Sequence, residues 1–123
     1  MQAFLLQQFQ AQHAAYQDQW PDAQFLVIEI DGLTAGCLYR HWSAGVCHII
    51  DLALLPEYRG AGLGARLLTA TIDEAREAAA KVTLRVRQDN PAQRLYHRLG
   101  FRVEADEGIH LLMGRAPDGP PRA

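Results

Sequence analysis

After residue 24 the chain alternates short apolar stretches with polar turns, and three other segments repeat apolar residues at helical spacing. Phe4, Leu5, Phe9 and Tyr16 recur on one helical face, and Pro21 stops any continuation, so residues 3–18 read as an amphipathic helix. Phe25–Ile30 and Ala35–Trp42 flank Asp31-Gly32, a hairpin signal, and Val46–Leu55 follows as a third strand through a Ser43-Ala44-Gly45 turn. A helix from Gly62 to about Ala80 places Leu63, Leu67, Thr71, Ala75 and Ala78 on one face. Val82–Arg87 is the next strand, parallel to the one before the helix if the crossover is right-handed. Asn90 is placed to cap a helix over Pro91–Leu99 that Gly100 ends, and strands at Phe101–Ala105 and Ile109–Met113 complete the set. This order is an α+β layout with one parallel step in a mixed sheet.

Composition narrows the class. The chain has 123 residues, 49% hydrophobic and 21% charged, which suits one soluble domain over 1–115 with a proline- and glycine-rich tail at 116–123 expected to be disordered. No apolar run approaches the roughly 20 residues of a membrane span, and no basic-then-apolar leader opens the sequence, so the cytoplasm is the expected compartment. A formal net charge of −2 argues against a general nucleic-acid binder. Cys37 and Cys47 form no C-x-x-C pair, so two reduced core residues are expected and no metal.

Chemistry concentrates in Pro56-Glu57-Tyr58-Arg59-Gly60-Ala61-Gly62-Leu63-Gly64-Ala65-Arg66, where an apolar strand meets a helix through three glycines and an arginine. Alternate glycines let the main chain approach a ligand, and the N–H groups of a helix's first turn have no intrahelical acceptors, so an anion such as a pyrophosphate can satisfy them. Gly64-Ala65-Arg66 stands where a P-loop needs Gly-Lys-Ser/Thr. A dinucleotide fingerprint is also written here, in Gly60, Gly62 and Ala65 with Asp89 after the next strand, but Pro56–Arg59 separates these glycines from their strand.

Arg59, Gly62 and Gly64 resemble the Arg/Gln-x-x-Gly-x-Gly/Ala loop of the GNAT family of N-acetyltransferases. Asn90-Pro91-Ala92-Gln93-Arg94-Leu95-Tyr96-His97-Arg98-Leu99-Gly100-Phe101 resembles that family's second signature, N-x-x-A-x-x-L-Y-x-x-x-G-F, one helix and one strand later. The resemblance covers nearly the whole chain and implies transfer of an acetyl group from acetyl-CoA, a cosubstrate, to a small-molecule or peptide amine. It implies that the strands Val46–Leu55 and Val82–Arg87 splay at their C-terminal ends and admit the pantetheine arm. Backbone groups of Leu52, Ala53, Leu54 and Leu55 would then pair with the arm, and Arg59, Gly60, Ala61, Gly62, Leu63, Gly64 and Ala65 would hold the pyrophosphate. The resemblance makes Tyr96 the acid that protonates the leaving thiolate and puts Asn90 beside the CoA arm; packing and N-capping are the plainer readings of the two.

A lysine-like amine with a pKa near 10.4 is neutral in only about one molecule in 2,500 at pH 7, so a proton acceptor is useful. His48 and Asp51 are the candidates, with a backbone N–H near Ala53–Leu54 as donor to the oxyanion. Strand alternation puts His48 and Asp51 on opposite faces, so one of them at most points at the acceptor. Relatives in the family usually begin with a further strand and helix. This chain has no room for them, so either the sequence is truncated or the sheet's first edge is open, and an uncovered Phe25–Ile30 would invite pairing with a second copy as a homodimer. The short N-terminus keeps a CoA-binding domain without catalysis in view, and the glycine pattern keeps a small Rossmann-type nucleotide module.

Overall fold

The computed structural model describes residues 20–60 and 62–117. The helix expected over 3–18, residue Ala61 and the tail from 118 onward lie outside that range. Six strands, β1 (Gln24–Ile30), β2 (Leu33–Ser43), β3 (Val46–Leu54), β4 (Lys81–Arg87), β5 (Arg102–Asp106) and β6 (His110–Arg115), form one sheet in the order β1-β2-β3-β4-β6-β5. Helix α1 (Leu63–Glu77) joins β3 to β4, and α2 (Gln93–Arg98) joins β4 to β5. Every neighbouring pair is antiparallel except β3 and β4. The α+β layout read from the pattern is therefore the observed one. Among the described residues there is a single βαβ crossover, and a Rossmann module is built from several.

Turn chemistry sets the first three strands in register. Asp31 and Gly32 take φ of 53° and 80°, and Ala44 and Gly45 take 50° and 78°, the two consecutive left-handed residues that a tight hairpin of the right twist requires. Ser43 pairs with Val46, so the second turn has two residues rather than the expected three.

Both helices lie on one face of the sheet. Leu68, Ile72 and Ala75 of α1 bury against Val82, Leu84, Val86, Phe101 and Met113, and Leu95, Tyr96 and Leu99 pack onto the same cluster. The buried face of α1 is Leu63, Leu68, Thr71, Ile72 and Ala75, which corrects the expected set: Leu67 is half-buried and Ala78 exposed. The helix also stops before the expected Ala80. Ala79 turns left-handed at φ 53°, its N–H bonds to Arg76 O (3.1 Å), and Ala80 N–H reaches Ala75 O (2.7 Å), a closed C-terminal cap that needs no glycine in the sequence. The chain must reverse there, because Lys81 N–H is already bonded to Gly45 O at 2.9 Å where β4 joins the sheet.

Arg40 fastens α1 to β2. Its side chain is buried and donates from all three nitrogens, Nε to Gln24 Oε1 (2.8 Å), Nη1 to Thr71 Oγ1 (3.2 Å) and to Glu74 Oε2 (2.5 Å), and Nη2 to Glu74 Oε1 (3.1 Å). A buried guanidinium is tolerated because its donors are met. The same contact holds the Glu74 carboxyl below its ordinary pKa, chiefly through the hydrogen bond from Arg40.

Cys37 and Cys47 are free and buried. They sit on opposite faces of the sheet, since Cys37 lies two residues from Tyr39 while Cys47 pairs with Trp42, and burial pushes both thiols up to about 11. They are therefore neutral near pH 7.

Candidate active site

The parallel pair is short. β3 and β4 are in register at Val46↔Lys81, Cys47↔Val82, His48↔Thr83 and Ile49↔Leu84, and then the ladder ends, although both strands continue. From that point β3 stays paired with β2, and β4 with β6. A cleft of about 270 Å³ opens between the diverging ends, lined among others by Asp51, Leu52, Arg85, Asn90, Tyr96 and His110.

The β2–β3 ladder decides which backbone groups face the opening. Leu55 N–H donates to Ala35 O (2.7 Å), and hydrogen-bonded and non-bonded pairs alternate along an antiparallel ladder. Ala53 therefore turns its main-chain groups toward β2, while those of Leu52 and Leu54 point to the open edge. A Cβ placed on Gly36 would lie 2.1 Å from Ala53 O, as expected if that carbonyl is turned to β2. Leu55 drops out of the expected pairing set: it is buried, its N–H is taken by Ala35, and its carbonyl accepts from Tyr58 N–H at 2.9 Å.

At the same end of β3 the loop is braced by Arg59, whose Nε donates to Leu54 O at 3.0 Å. Gly60 and Gly62 take φ of 82° and 80°, conformations that L side chains rarely adopt, and Gly62 is the N-cap of α1 with no side-chain cap. The first turn of α1, with Leu63, Gly64 and Ala65, holds no acidic residue, so its N–H groups and the helix dipole present positive potential. These features fit a pyrophosphate approaching the loop and a pantetheine-like strand entering the splay. Acetyl-CoA has both parts.

On the opposite wall, Asn90 Oδ1 accepts from Ala92 N–H at 2.9 Å, so its side chain does cap the segment. The helix proper begins later than expected, at Gln93, because Asn90–Ala92 is wound into tighter i→i+3 bonds from Gln93 N–H to Asn90 O (3.3 Å) and Arg94 N–H to Pro91 O (3.2 Å). Tyr96 is half-buried, meets Phe101 edge-on at 6.0 Å, and also lines the cleft. Burial raises its pKa above 10, so the phenol keeps its proton at neutral pH.

His48 and Asp51 lie on the same face of the sheet, against the alternation argument. Asp51 pairs with Tyr39 and His48 with His41, and a β-bulge at Ile50 inserts the extra residue that shifts the phase. Only Asp51 lines the cleft. His48 lies beside it, stacked on Trp20 at 5.5 Å, with Nδ1 2.8 Å from Thr83 Oγ1 and Nε2 3.4 Å from Arg85 Nη1. Burial first, then the charges of Arg85 and His41, hold its pKa below 6.5, partly offset by Glu107.

Arg85 and His110 were not candidates on sequence. Polar residues at Lys81, Thr83, Arg85 and Arg87 alternate with Val82, Leu84 and Val86, a visible polar strand face. Which of them meets the cleft depends on where the β3 ladder stops.

Compared with known proteins, residues 2–101 match the Acetyltransferase (GNAT) family. The chain belongs to this family. As a GNAT protein it is 33% identical over 96 residues to an N-alpha-acetyltransferase of Sulfurisphaera tokodaii, covering 66% of this chain and 58% of that one. It is 42% identical over 83 residues to a mycothiol acetyltransferase of Corynebacterium aurimucosum, covering 61% of this chain and 27% of that one. The PaiA N-acetyltransferase of Thermoplasma acidophilum, solved in complex with coenzyme A, superposes with a TM-score of 0.69 at 25% identity over 77% of this chain and 61% of that one. The chain spans 52% to 58% of the length of three curated relatives it matches.

Proposed function

We propose that this GNAT protein is an acetyl-CoA-dependent N-acetyltransferase acting on an α-amine. The observation that carries the reading is the end of the β3–β4 ladder at Ile49 and Leu84, with Asp51, Asn90 and Tyr96 around the cleft that opens there. Family membership supports the chemistry, and the name of the Sulfurisphaera relative supports the acceptor.

Bound acetyl-CoA supplies the activated acetyl group. Leu52 offers main-chain groups to its arm by the same pairing that adds a strand to a sheet. Gly60, Gly62, Leu63, Gly64 and Ala65 receive the pyrophosphate, with Ala61 assigned on sequence alone, while Arg59 braces the loop and Asn90 stands against the arm. Leu54 N–H donates to the oxygen that gains negative charge. Asp51 takes the proton from the incoming ammonium, and Tyr96 gives its phenolic proton to the departing sulfur. Such a modest base suits an α-amine, whose pKa of 7.7–8.0 leaves about one molecule in six to eleven neutral at pH 7.

Calorimetry with acetyl-CoA, combined with thiol release on an alanine-initiated peptide, lysine and a polyamine, tests the reading. Binding with release on the peptide is expected. Binding with no release on any amine would make this a CoA-binding domain without catalysis.

A further inference from the structure

Arg85 stands in the cleft wall with a role that neither the CoA loop nor the proposed acid and base uses. Its guanidinium is held from two sides. Nε and Nη2 donate to Glu107 Oε1 and Oε2 at 2.8 and 3.5 Å, and Nη1 donates to His48 Nε2 at 3.4 Å. Because arginine only donates, His48 Nε2 accepts, which puts the ring proton on Nδ1 and makes Thr83 Oγ1 its acceptor at 2.8 Å. Glu107 in the β5–β6 turn, His48 on β3 and Thr83 on β4 thus fix one side chain, so little freedom is left to lose when a ligand arrives.

Those contacts use three of the five N–H groups of a guanidinium and leave one on each of Nη1 and Nη2. Arg85 is two residues beyond Thr83, whose partner in the ladder is His48, so it shares a face with His48 and Asp51 across the splay. Glu107 balances its charge, so the two N–H groups left over suit a neutral oxygen acceptor beside the amine. A free amino acid would bring its carboxylate against Glu107.

We propose that Arg85 holds the carbonyl oxygen of the acceptor's first residue while Asp51 receives its amine, so that the site selects a peptide N-terminus over simple alkylamines and free amino acids. The proposal rests on the acetyl-transfer reading above. His48 and Glu107 are positioning residues for Arg85.

The test compares an amidated tetrapeptide beginning with alanine, free alanine and propylamine, with wild type, Arg85→Gln, His48→Phe and His48→Gln. Wild type is expected to prefer the peptide. Arg85→Gln is expected to lower kcat/KM for the peptide about 10- to 100-fold, the range for a charge-assisted hydrogen bond, mostly through KM. Propylamine, which has no carbonyl, and acetyl-CoA affinity should change least. His48→Phe should give a smaller loss that His48→Gln, with its own oxygen acceptor, recovers. An equal loss on propylamine, or weakened acetyl-CoA binding, would overturn the proposal by moving Arg85 to the donor. Should wild type acetylate no amine, the acetyl-transfer reading fails by itself, and peptide titration into CoA-saturated protein then decides. Binding lost in Arg85→Gln upholds the carbonyl contact, and equal or absent binding in wild type refutes it.

Discussion

From Val46 to Ile49, β3 is laddered on both edges; past the bulge at Ile50, from Asp51 to Leu54, it is laddered to β2 alone. Each half is apolar but for one ionisable side chain, His48 in Val46-Cys47-His48-Ile49 and Asp51 in Ile50-Asp51-Leu52-Ala53-Leu54. What separates them is the company they keep. In the closed half, main-chain groups are consumed by neighbours and Cys47 and Ile49 are buried, so the strand contributes to the core. In the open half, the main-chain groups of Leu52 and Leu54 point to the open edge, where Arg59 meets Leu54 O, and the bulge at Ile50 turns Asp51 to the face it shares with Arg85. The strand thus divides at Ile49 between a half that builds the core and a half that carries the proposed site.

Four substitutions test that division. Met113→Ala, at a fully buried site paired with Leu84, should cost about 2–5 kcal/mol in chemical denaturation. Acetyl-CoA affinity of the folded fraction should hold; a parallel loss of affinity would mean the two halves are not separable. Tyr96→Phe keeps the packing against Phe101 and removes the phenol. A fall in kcat of about 100-fold, or about 2.7 kcal/mol, is expected with little change in acetyl-CoA binding, and unaltered turnover would remove Tyr96 as the acid. Gly36→Ala attacks the open half from behind, since its Cβ would meet Ala53 O. It should cost about 1–3 kcal/mol and also weaken acetyl-CoA binding, because Leu52 and Leu54 would move with the strand. Finally, Ala79→Gly relieves a left-handed alanine at the closed end and should raise stability by about 0.4–1 kcal/mol, read as a higher denaturation midpoint with kinetics unchanged.

Acidity offers a further comparison between the halves. The depressed His48 pKa means that the unfolded chain binds its proton more readily, so the stability this histidine contributes is present above about pH 6.5 and is lost as pH falls through its folded value. Tyr96 titrates in the opposite direction, above pH 10.

Much of the layout was legible because it is local. Asp31-Gly32 and Ala44-Gly45 need left-handed residues, alternation marks β4, and Gly60-x-Gly62 with the following helix marks an anion-binding loop. The boundary errors have local causes too: the cap at Ala79 carries no glycine to announce it, and Asn90–Ala92 tightens before α2 begins. Reading His48 and Asp51 onto opposite faces failed for a different reason. A bulge is set by how two strands match across the ladder, and alternation along one strand contains no such information.

Taken alone, the sequence determined the order of the strands and the two helices described and the family, since these follow from short-range pattern and motif. Tertiary structure alone decided where the β3–β4 ladder stops, which main-chain groups face the opening, and that Arg85, Glu107 and His48 meet. Those residues are up to 59 positions apart, between His48 and Glu107, and only pairing of distant strands brings them together.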